Sequence, residues 1–162
     1  MNKLTSANLR QTPLHALHLE LNAKLVPFAG YEMPIHYRSG ILAEHKHTRN
    51  KAGLFDVSHM GQVILRGDNV SAALETLVPG DIVGLTTGRM RYTQFTNSDG
   101  GILDDILVTR LEEGLFVVVN AGCKDADTAH MLDKLPPGIE IDVQNSSALI
   151  ALQGPAAVTV LS

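Results

Sequence analysis

The chain of 162 residues is 44% apolar and 19% charged, a composition typical of a globular protein with enough residues for a real core. A net charge of −4 without a basic run excludes the electrostatic footprint of a nucleic-acid-binding protein. No apolar stretch approaches the ~20 residues that a membrane span needs, and the N-terminal residues lack the apolar core of a signal peptide. The single cysteine, Cys123, excludes an internal disulfide and favours a reducing compartment.

The first third of the chain predicts two helices separated by an apolar break. A Thr-Pro pair at 12–13 suits the start of a helix, and leucines at helical spacing follow over 14–25. The segment 27–34 combines aromatic residues with turn formers, which predicts a loop that packs against the protein or lines a site. A second helix is predicted from residue 39 to Gly53, where glycine suits the left-handed C-cap.

Later residues predict short strands separated by turns and by two helices. Strands are expected at 62–66, 90–96, 102–109, 115–119, 139–143 and 148–152, and helices at 70–77 and 124–135. The second of these helices has a predicted apolar stripe of Ala126, Ala129, Leu132 and Leu135. Because short turns join several strands and no βαβ alternation occurs, the predicted class is α+β, with an antiparallel sheet and flanking helices.

The most informative stretch is the apolar strand that follows two glycines at 100–101 and has two adjacent carboxylates in its middle. Successive strand residues point to opposite faces, so Asp104 and Asp105 diverge and do not act together on one substrate atom. Each lies among aliphatic residues and needs a charge, a hydrogen-bond partner or a proton, because burying it unpaired costs roughly several kcal/mol. We therefore expect one acid to be functional and the other to be structural.

Seven histidines raise the question of a metal site. His45 and His47 are two residues apart, which places them about 200° apart around a helix. His15 and His18 have the better i, i+3 spacing, but no third ligand lies near them in sequence. Cys-x-x-Cys, His-Glu-x-x-His and calcium-loop patterns do not occur. Ordinary surface or helix-capping histidines are the preferred interpretation, and no metal site is predicted.

Nucleophilic catalysis and phosphate binding have no better support. Ser58 precedes His59, but the Gly-x-Ser-x-Gly elbow of the hydrolases is missing. Cys123 lies at a predicted helix start without a visible base and is interpreted as a small buried hydrophobe. The glycines form neither a Gly-x-Gly-x-x-Gly turn nor a phosphate loop.

A set of polar or unusual residues remains at strand ends and turns. It comprises Asp56, Ser58, Met60, Tyr92, Asp104, Asp105 and Asn120. Taken singly, Asp56 and Ser58 are interpreted as turn caps, and Met60 and Tyr92 as core residues. Taken together, they belong to motifs that point to one family.

Six blocks of sequence carry a family resemblance. They are Thr-Pro-Leu-His at 12–15, Phe-Ala-Gly-Tyr-Glu-Met-Pro at 28–34, Leu-Phe-Asp-Val-Ser-His-Met-Gly at 54–61, Gly-Gly-Ile-Leu-Asp-Asp at 100–105, Val-Asn-Ala-Gly at 119–122 and Ala-Leu-Ile-Ala-Leu-Gln-Gly-Pro at 148–155. In this order and spacing, the sequence closely resembles the aminomethyltransferase, or T-protein, family of the glycine cleavage system. Tyr31 stands where that family usually has tryptophan. Family members are more than twice as long, and a helix that begins at Pro155 runs to Ser162 without a stop signal, so we expect an N-terminal portion.

The resemblance implies a reaction and its site residues. Family members transfer the one-carbon unit from the aminomethyl-lipoyl carrier (H) protein to tetrahydrofolate, with release of ammonia. By position, Asp105 matches the key catalytic carboxylate, on the pterin side of the folate. Met60 and Tyr92 match residues that line the folate cavity, and Asn120 matches a polar contact. Asp105 would act by orientation and electrostatics rather than as a covalent nucleophile.

The resemblance also implies a domain division and a setting. Residues 1–53 would be an N-terminal helical segment of the first domain, and 54–162 a truncated α+β folate-binding region, with further domains and folate contacts beyond Ser162. The chain alone is therefore expected to be inactive. No transit peptide is evident, which favours a bacterial cytoplasm. Alternatives with this architecture are a folate-dependent demethylase or other one-carbon transferase, and a non-catalytic folate-binding protein of iron–sulfur cluster maintenance.

Overall fold

The computed structural model describes residues 9–162, which fall into two compact units. The first unit reaches to His59 and takes in Ser146–Ser162. The second unit is the continuous segment Met60–Asn145. The first unit is therefore assembled from two separated parts of the sequence, and the second is inserted between them.

The described chain mixes helices and strands without a regular βαβ repeat. In chain order the elements are α1 (His15–Glu20), β1 (Lys24–Phe28), β2 (Tyr31–His36), α2 (Ile41–Asn50), β3 (Gly53–Asp56), β4 (Gly61–Arg66), α3 (Val70–Glu75), β5 (Met90–Thr96), β6 (Ile102–Leu111), β7 (Gly114–Val119), α4 (Lys124–Lys134), β8 (Glu140–Val143), β9 (Ile150–Gln153) and α5 (Ala157–Leu161). Each pair of neighbouring strands is antiparallel, which confirms the predicted α+β class. Within residues 9–162, no helix combines the length and the apolar character that crossing a membrane requires.

The second unit is built on a five-stranded sheet in the order β5-β6-β7-β4-β8. Because side chains alternate along a strand, the sheet has two different faces. One face joins residues of α3 and α4 in the core, whose fully buried members include Val63, Leu65, Leu74, Phe95, Ile106, Val108, Val117, Val119 and Met131. The intervening strand residues lie on the opposite face.

The strands of this sheet lie where the sequence predicts them, within two residues at each end. β5 coincides with the predicted 90–96. The turn between β5 and β6 is closed by Asn97, whose Oδ1 accepts the backbone N–H groups of Asp99 and Gly101 at 3.0 and 2.7 Å. Gly100 in the same turn adopts φ +78°, a conformation that glycine accepts without strain. These local turn signals are the reason that the strand limits are readable from the sequence.

The apolar stripe of α4 differs from the prediction. Ala126 and Ala129 are exposed, and the side chain of Leu132 is 63% exposed. Met131 is fully buried, and the buried face of the helix also contains Asp127. Of the four residues of the predicted stripe, only Leu135 is buried, because the prediction followed the apolar residues alone, whereas the buried face includes an acid.

In the first unit, the predicted helix over 14–25 ends early. α1 stops at Glu20, and Leu25 lies in β1. Asn22 adopts φ +57°, the left-handed conformation that asparagine tolerates better than most residues, and its side chain donates to the Glu20 carbonyl at 3.1 Å. A local turn at Asn22 thus overrides the leucine spacing that predicted a longer helix.

The predicted loop at 27–34 is largely a hairpin. β1 and β2 pair from Phe28 and Tyr31 outward, and the reversal uses Ala29 at φ +47° and Gly30 at φ +81°. Tyr31 is buried, in agreement with the expectation that this segment packs. The sequence does not predict these strands because each contains a proline, Pro27 in β1 and Pro34 in β2. A two-stranded sheet tolerates them because both of its strands are edge strands, where a proline without an N–H donor can be accommodated.

The predicted end of the second helix, α2, was also wrong. The helix ends at Asn50 and Gly53 is not its cap, because it begins β3 and pairs with Gln153 of β9. The strand predicted at 148–152 is β9, displaced toward Gln153. This β3–β9 pair joins the two sequence segments of the first unit, a long-range contact that no local pattern indicates.

Candidate active site

Strand register in the second unit gathers the residues that the resemblance implicates at one end of the sheet. Asp105 of β6 pairs with Gln94 of β5, and Tyr92 lies two residues from Gln94 on the same face. The pairing of β6 with β7 brings Asn120, which follows β7, beside Asp105. The pairing of β4 with β7 brings Met60, which precedes β4, to the same end. Residues separated by up to 60 positions are therefore neighbours.

These residues differ from the core in exposure. Tyr92 is 60% exposed and Asp105 is exposed, because both alternate with core residues along their strands. Met60 and Asn120 are half-buried. The interpretation of Tyr92 as a core residue was therefore wrong. An aromatic ring and a carboxylate are available together on the face opposite the core.

Asn120 is the centre of the hydrogen bonds at this end of the sheet. Its side-chain Nδ2 lies 3.0 Å from Asp104 Oδ1, 3.0 Å from the Asp105 carbonyl oxygen and 3.2 Å from Asp105 Oδ1. Its backbone N–H donates to Asp104 Oδ2 at 3.4 Å. One amide therefore contacts both acids, although their side chains leave the strand toward opposite faces.

Asp127 on α4 adds a third carboxyl group. It is 4% exposed, and its side chain is close enough to that of Asp104 to share a hydrogen bond when one of the two carboxyl groups is protonated. Burial, together with this hydrogen bond and the charge of Asp104, raises the pKa of Asp127 to about 7. Asp127 therefore keeps its proton to a much higher pH than an ordinary aspartate does.

Cys123 precedes α4 and lies near the same acids. Burial raises the pKa of its thiol, and the charges of Asp104, Asp127 and Asp105 raise it further. A helix start favours a thiolate, but the surrounding carboxylates oppose it. Cys123 is half-buried rather than buried as the sequence predicts, and the raised pKa of its thiol disfavours the thiolate that a nucleophile needs.

A second polar network lies in the first unit around Asp56. Its Oδ2 accepts hydrogen bonds from Thr12 Oγ1 and His18 Nε2, each at 2.8 Å, and its Oδ1 accepts the Ser58 N–H at 2.9 Å. The Tyr37 hydroxyl lies 2.8 Å from Nδ1 of His18. The predicted turn cap at Asp56 is therefore confirmed, but it is only one part of a network that joins four segments.

These hydrogen bonds favour the ionised form of the Asp56 carboxyl group. Burial alone would raise its pKa, but the hydrogen bonds from His18, Ser58 and Thr12 outweigh burial and lower the pKa below its ordinary value. Burial, followed by the charges of Asp56 and Glu44, raises the pKa of Tyr37. The network therefore stabilises the ionised carboxylate of Asp56.

The remaining candidates from the sequence have structural partners. Ser58 Oγ accepts the backbone N–H of Leu149 at 2.9 Å, which ties down the hydroxyl group. His15 Nε2 lies 2.8 Å from Glu32 Oε2. Within residues 9–162, no group of three or more His, Cys, Asp or Glu side chains is arranged to hold a metal ion. The first unit also contains a cavity of about 560 Å³ that is lined by residues of α2, β2 and β3, among them Asp56, and by Tyr37, which follows β2.

The sequence analysis did not predict that Asp127 is buried beside Asp104, or that Asp56 accepts hydrogen bonds from several distant segments. A signal for Asp127 does exist, because Asp127, Met131 and Leu135 follow the i, i+4, i+8 spacing of one helix face. An acid in such a stripe predicts a buried carboxyl group with a partner. The partners of Asp56 carry no comparable signal, because they lie up to 44 residues away in the sequence.

Comparison with known proteins agrees with this architecture. The model of the GCVT N-terminal domain matches residues 14–162. The chain is 42% identical over 165 residues to "Aminomethyltransferase, mitochondrial" of Dictyostelium discoideum and 46% identical over 162 residues to the mouse protein of the same name. The crystal structure of glycine cleavage system aminomethyltransferase T from Bartonella henselae is similar with a TM-score of 0.87 and 40% sequence identity. The chain therefore belongs to the GCVT N-terminal domain family.

The chain is shorter than these relatives. The matches cover 97% of this chain and 41% of the Dictyostelium protein, and 94% of this chain and 40% of the mouse protein. The similarity to the Bartonella structure covers 94% of this chain and 43% of that chain. The sequence thus spans about two fifths of the length of the proteins it matches.

Proposed function

We propose that this chain is the N-terminal part of a tetrahydrofolate-dependent aminomethyltransferase of the glycine cleavage system. Membership of the family and the names of the relatives support the proposal. The observation that carries it is the exposed carboxylate of Asp105, held by Asn120 at the position that the resemblance assigns to the key acid. Asp105 is therefore proposed as the catalytic residue.

The residues around Asp105 fit the pterin ring of a folate. Pterin presents N–H groups, and a carboxylate accepts such donors. Tyr92 offers an exposed aromatic surface on the same face of the sheet. Met60 provides an adaptable apolar contact, and Asn120 a polar one. These four residues are the proposed folate contacts of this chain.

The charge of Asp105 suits the transfer chemistry. Once the ammonium group of the donor has lost a proton, the bond between carbon and sulfur breaks, its electron pair goes to the lipoyl thiolate, and the carbon is left as an iminium. N5 of tetrahydrofolate attacks this carbon, and the nitrogen then takes up a proton and leaves as ammonia while N10 closes the methylene bridge of the product. A fixed negative charge close to the reacting carbon stabilises the positive charge that develops there. Placement of N5 against that carbon supplies the rest of the rate enhancement. Asp105 acts in this scheme by position and charge and forms no covalent intermediate.

The proposal also names partners and a setting. The donor is a lipoyl group carried by the H protein, and the acceptor is tetrahydrofolate. Residues 54–162 are proposed as the folate-binding region of this chain, and residues 1–53 as the start of the first domain. The remaining folate contacts are assigned to the part of the relatives that this chain does not span. A bacterial cytoplasm is the proposed location, supported by the single cysteine.

The direct test is ammonia release from the aminomethyl-lipoyl H protein with and without tetrahydrofolate. The full-length protein that contains this sequence, its Asp105→Asn variant and the 162-residue chain are compared. We expect tetrahydrofolate-dependent release by the full-length protein, a rate reduction on the order of 10²–10³-fold in the variant, and no release by the short chain. Asp99→Asn removes an exposed acid from the turn before β6 and serves as the matched control.

Two outcomes would count against the proposal. If the full-length protein binds tetrahydrofolate but releases no ammonia, the one-carbon donor is a different molecule, as in a related demethylase. If Asp105→Asn and Asp99→Asn have the same activity as the unchanged protein, Asp105 is not the catalytic acid. Activity in the 162-residue chain would show that the folate site is complete within it.

A further inference from the structure

Asp127 lies at the start of a chain of polar contacts that ends at Asp105. It is 4% exposed, and its side chain is close enough to that of Asp104 to share a hydrogen bond when one of the two carboxyl groups is protonated. Asp104 is in turn held through Oδ1 and Oδ2 by the side-chain and backbone N–H groups of Asn120. The same Asn120 amide lies 3.2 Å from Asp105 Oδ1. Asp127 is therefore three hydrogen-bonded steps from the proposed catalytic carboxylate.

The surroundings of Asp127 favour a protonated carboxyl group. Its Oδ2 atom is buried without a hydrogen-bond partner among residues 9–162. The titratable groups that face it are Asp104 on β6 and Cys123 before α4, and His130 follows one turn later on α4. Two carboxylates in contact cannot both be ionised at low cost when one of them is buried. One proton shared between Asp104 and Asp127 removes this repulsion.

We propose that Asp127 is a positioning residue for Asp105. Its carboxyl group shares one proton with Asp104, which fixes the position of the Asp104 side chain. Asn120 contacts both Asp104 and Asp105, so the position of Asp104 sets the position of the Asp105 side chain. When the shared proton is lost, the two carboxylates repel each other. The Asp104 carboxylate, which accepts a hydrogen bond from the Asn120 side chain, then moves. The role of Asp105 rests on the proposed function, whereas the shared proton and its effect on Asn120 do not.

The test uses nuclear magnetic resonance on the 162-residue chain between pH 5 and pH 9. We expect the carboxyl carbon of Asp127 to titrate with a midpoint at about 7. The side-chain amide signals of Asn120 should shift with the same midpoint. In Asp127→Asn, which still offers an N–H donor to Asp104, this shift should be lost. Asp133→Asn removes an exposed acid from the same helix and should leave the shift unchanged.

The proposal is overturned if the Asp127 carbon titrates near pH 4, or if the Asn120 amide shift persists in Asp127→Asn. The carbon titration needs no variant, so it remains decisive if a substitution disturbs folding. In the full-length protein, the expected consequence is a loss of ammonia-release activity above pH 7 that disappears in Asp127→Asn. Coupled titration in a protein without this activity would contradict the proposed function and leave the positioning network in place.

Discussion

The side-chain amide of Asn120 lies 3.0 Å from Asp104 Oδ1 and 3.2 Å from Asp105 Oδ1. Strand alternation sends the two acids to different faces, so only a residue at the sheet end can contact both. Asp104 is half-buried and bonded to Asp127, and Asp105 is exposed. The acids therefore differ in environment in the way that a structural and a functional residue would differ.

Replacement of Asn120 by alanine tests this bridge. The variant removes the side-chain N–H groups that Asn120 donates to Asp104 and Asp105. It should therefore lower the free energy of unfolding by about 1–3 kcal/mol. In the full-length protein it should also lower the activity, because the Asp105 side chain is no longer held. Urea unfolding and ammonia release measure the two effects. Asn145→Ala, at an exposed position, should change neither, and equal behaviour of the two variants would argue against the bridge.

The raised pKa of Asp127 predicts a pH-dependent stability. The pKa is about 7 in the folded chain against an ordinary value of 3.8, so between these values the folded chain binds more protons than the unfolded chain. Stability therefore falls as the pH rises through this window, by about 4 kcal/mol at ~1.4 kcal/mol per pKa unit. Asp127→Asn should be as stable as the unchanged chain near pH 4 and more stable at pH 8. Urea unfolding across this range would show a constant difference if the prediction is wrong.

The lowered pKa of Asp56 predicts the opposite dependence. The hydrogen-bonded carboxylate contributes stability above its ordinary pKa of 3.8, and this contribution is lost as the pH falls through the lower folded-state pKa. Asp56→Ala should cost about 3–5 kcal/mol at neutral pH, because it leaves buried donors without an acceptor. This penalty should shrink below pH 3.8. Thermal unfolding measures it, and Glu20→Ala, at an exposed position of the same unit, should change stability little.

Cys123 offers a chemical probe of the acids. Because its thiol pKa is raised, alkylation by iodoacetamide at pH 8 should be slower than that of a free cysteine. Asp104→Asn removes the largest charge contribution to this shift and should increase the rate several-fold. Mass spectrometry of the modified chain follows the reaction. An unchanged rate in the variant would show that steric access, rather than the thiolate fraction, controls the reaction.

The corrected face of α4 can be tested by a matched pair of substitutions. Met131 is fully buried, and Leu132 is 63% exposed. Met131→Ala should cost about 2–5 kcal/mol through lost burial and a cavity, whereas Leu132→Ala should stay within about 0.5 kcal/mol of the unchanged chain. Chemical denaturation measures both values. A larger loss for Leu132→Ala would restore the stripe predicted from the sequence.

The sequence predicts the strands of the second unit well because their ends are defined locally. Alternating apolar residues and turns such as 97–101 act over a few positions, and β5 coincides with its predicted limits. The first unit was predicted less well. There Asn22 ends α1 against the leucine pattern, and Gly53 belongs to a strand whose partner, Gln153, lies 100 residues away.

By itself, the sequence determined the α+β class, the limits of most strands, the pair of acids in β6 and the motifs that point to the family. Only the tertiary structure decided which acid is exposed, which residue joins the two, and that Asp127 completes the cluster. The physical reason is the distance along the sequence over which each kind of interaction acts. Turn and strand preferences depend on neighbouring residues, whereas the partner and protonation state of a buried carboxyl group depend on contacts that form when distant segments pack.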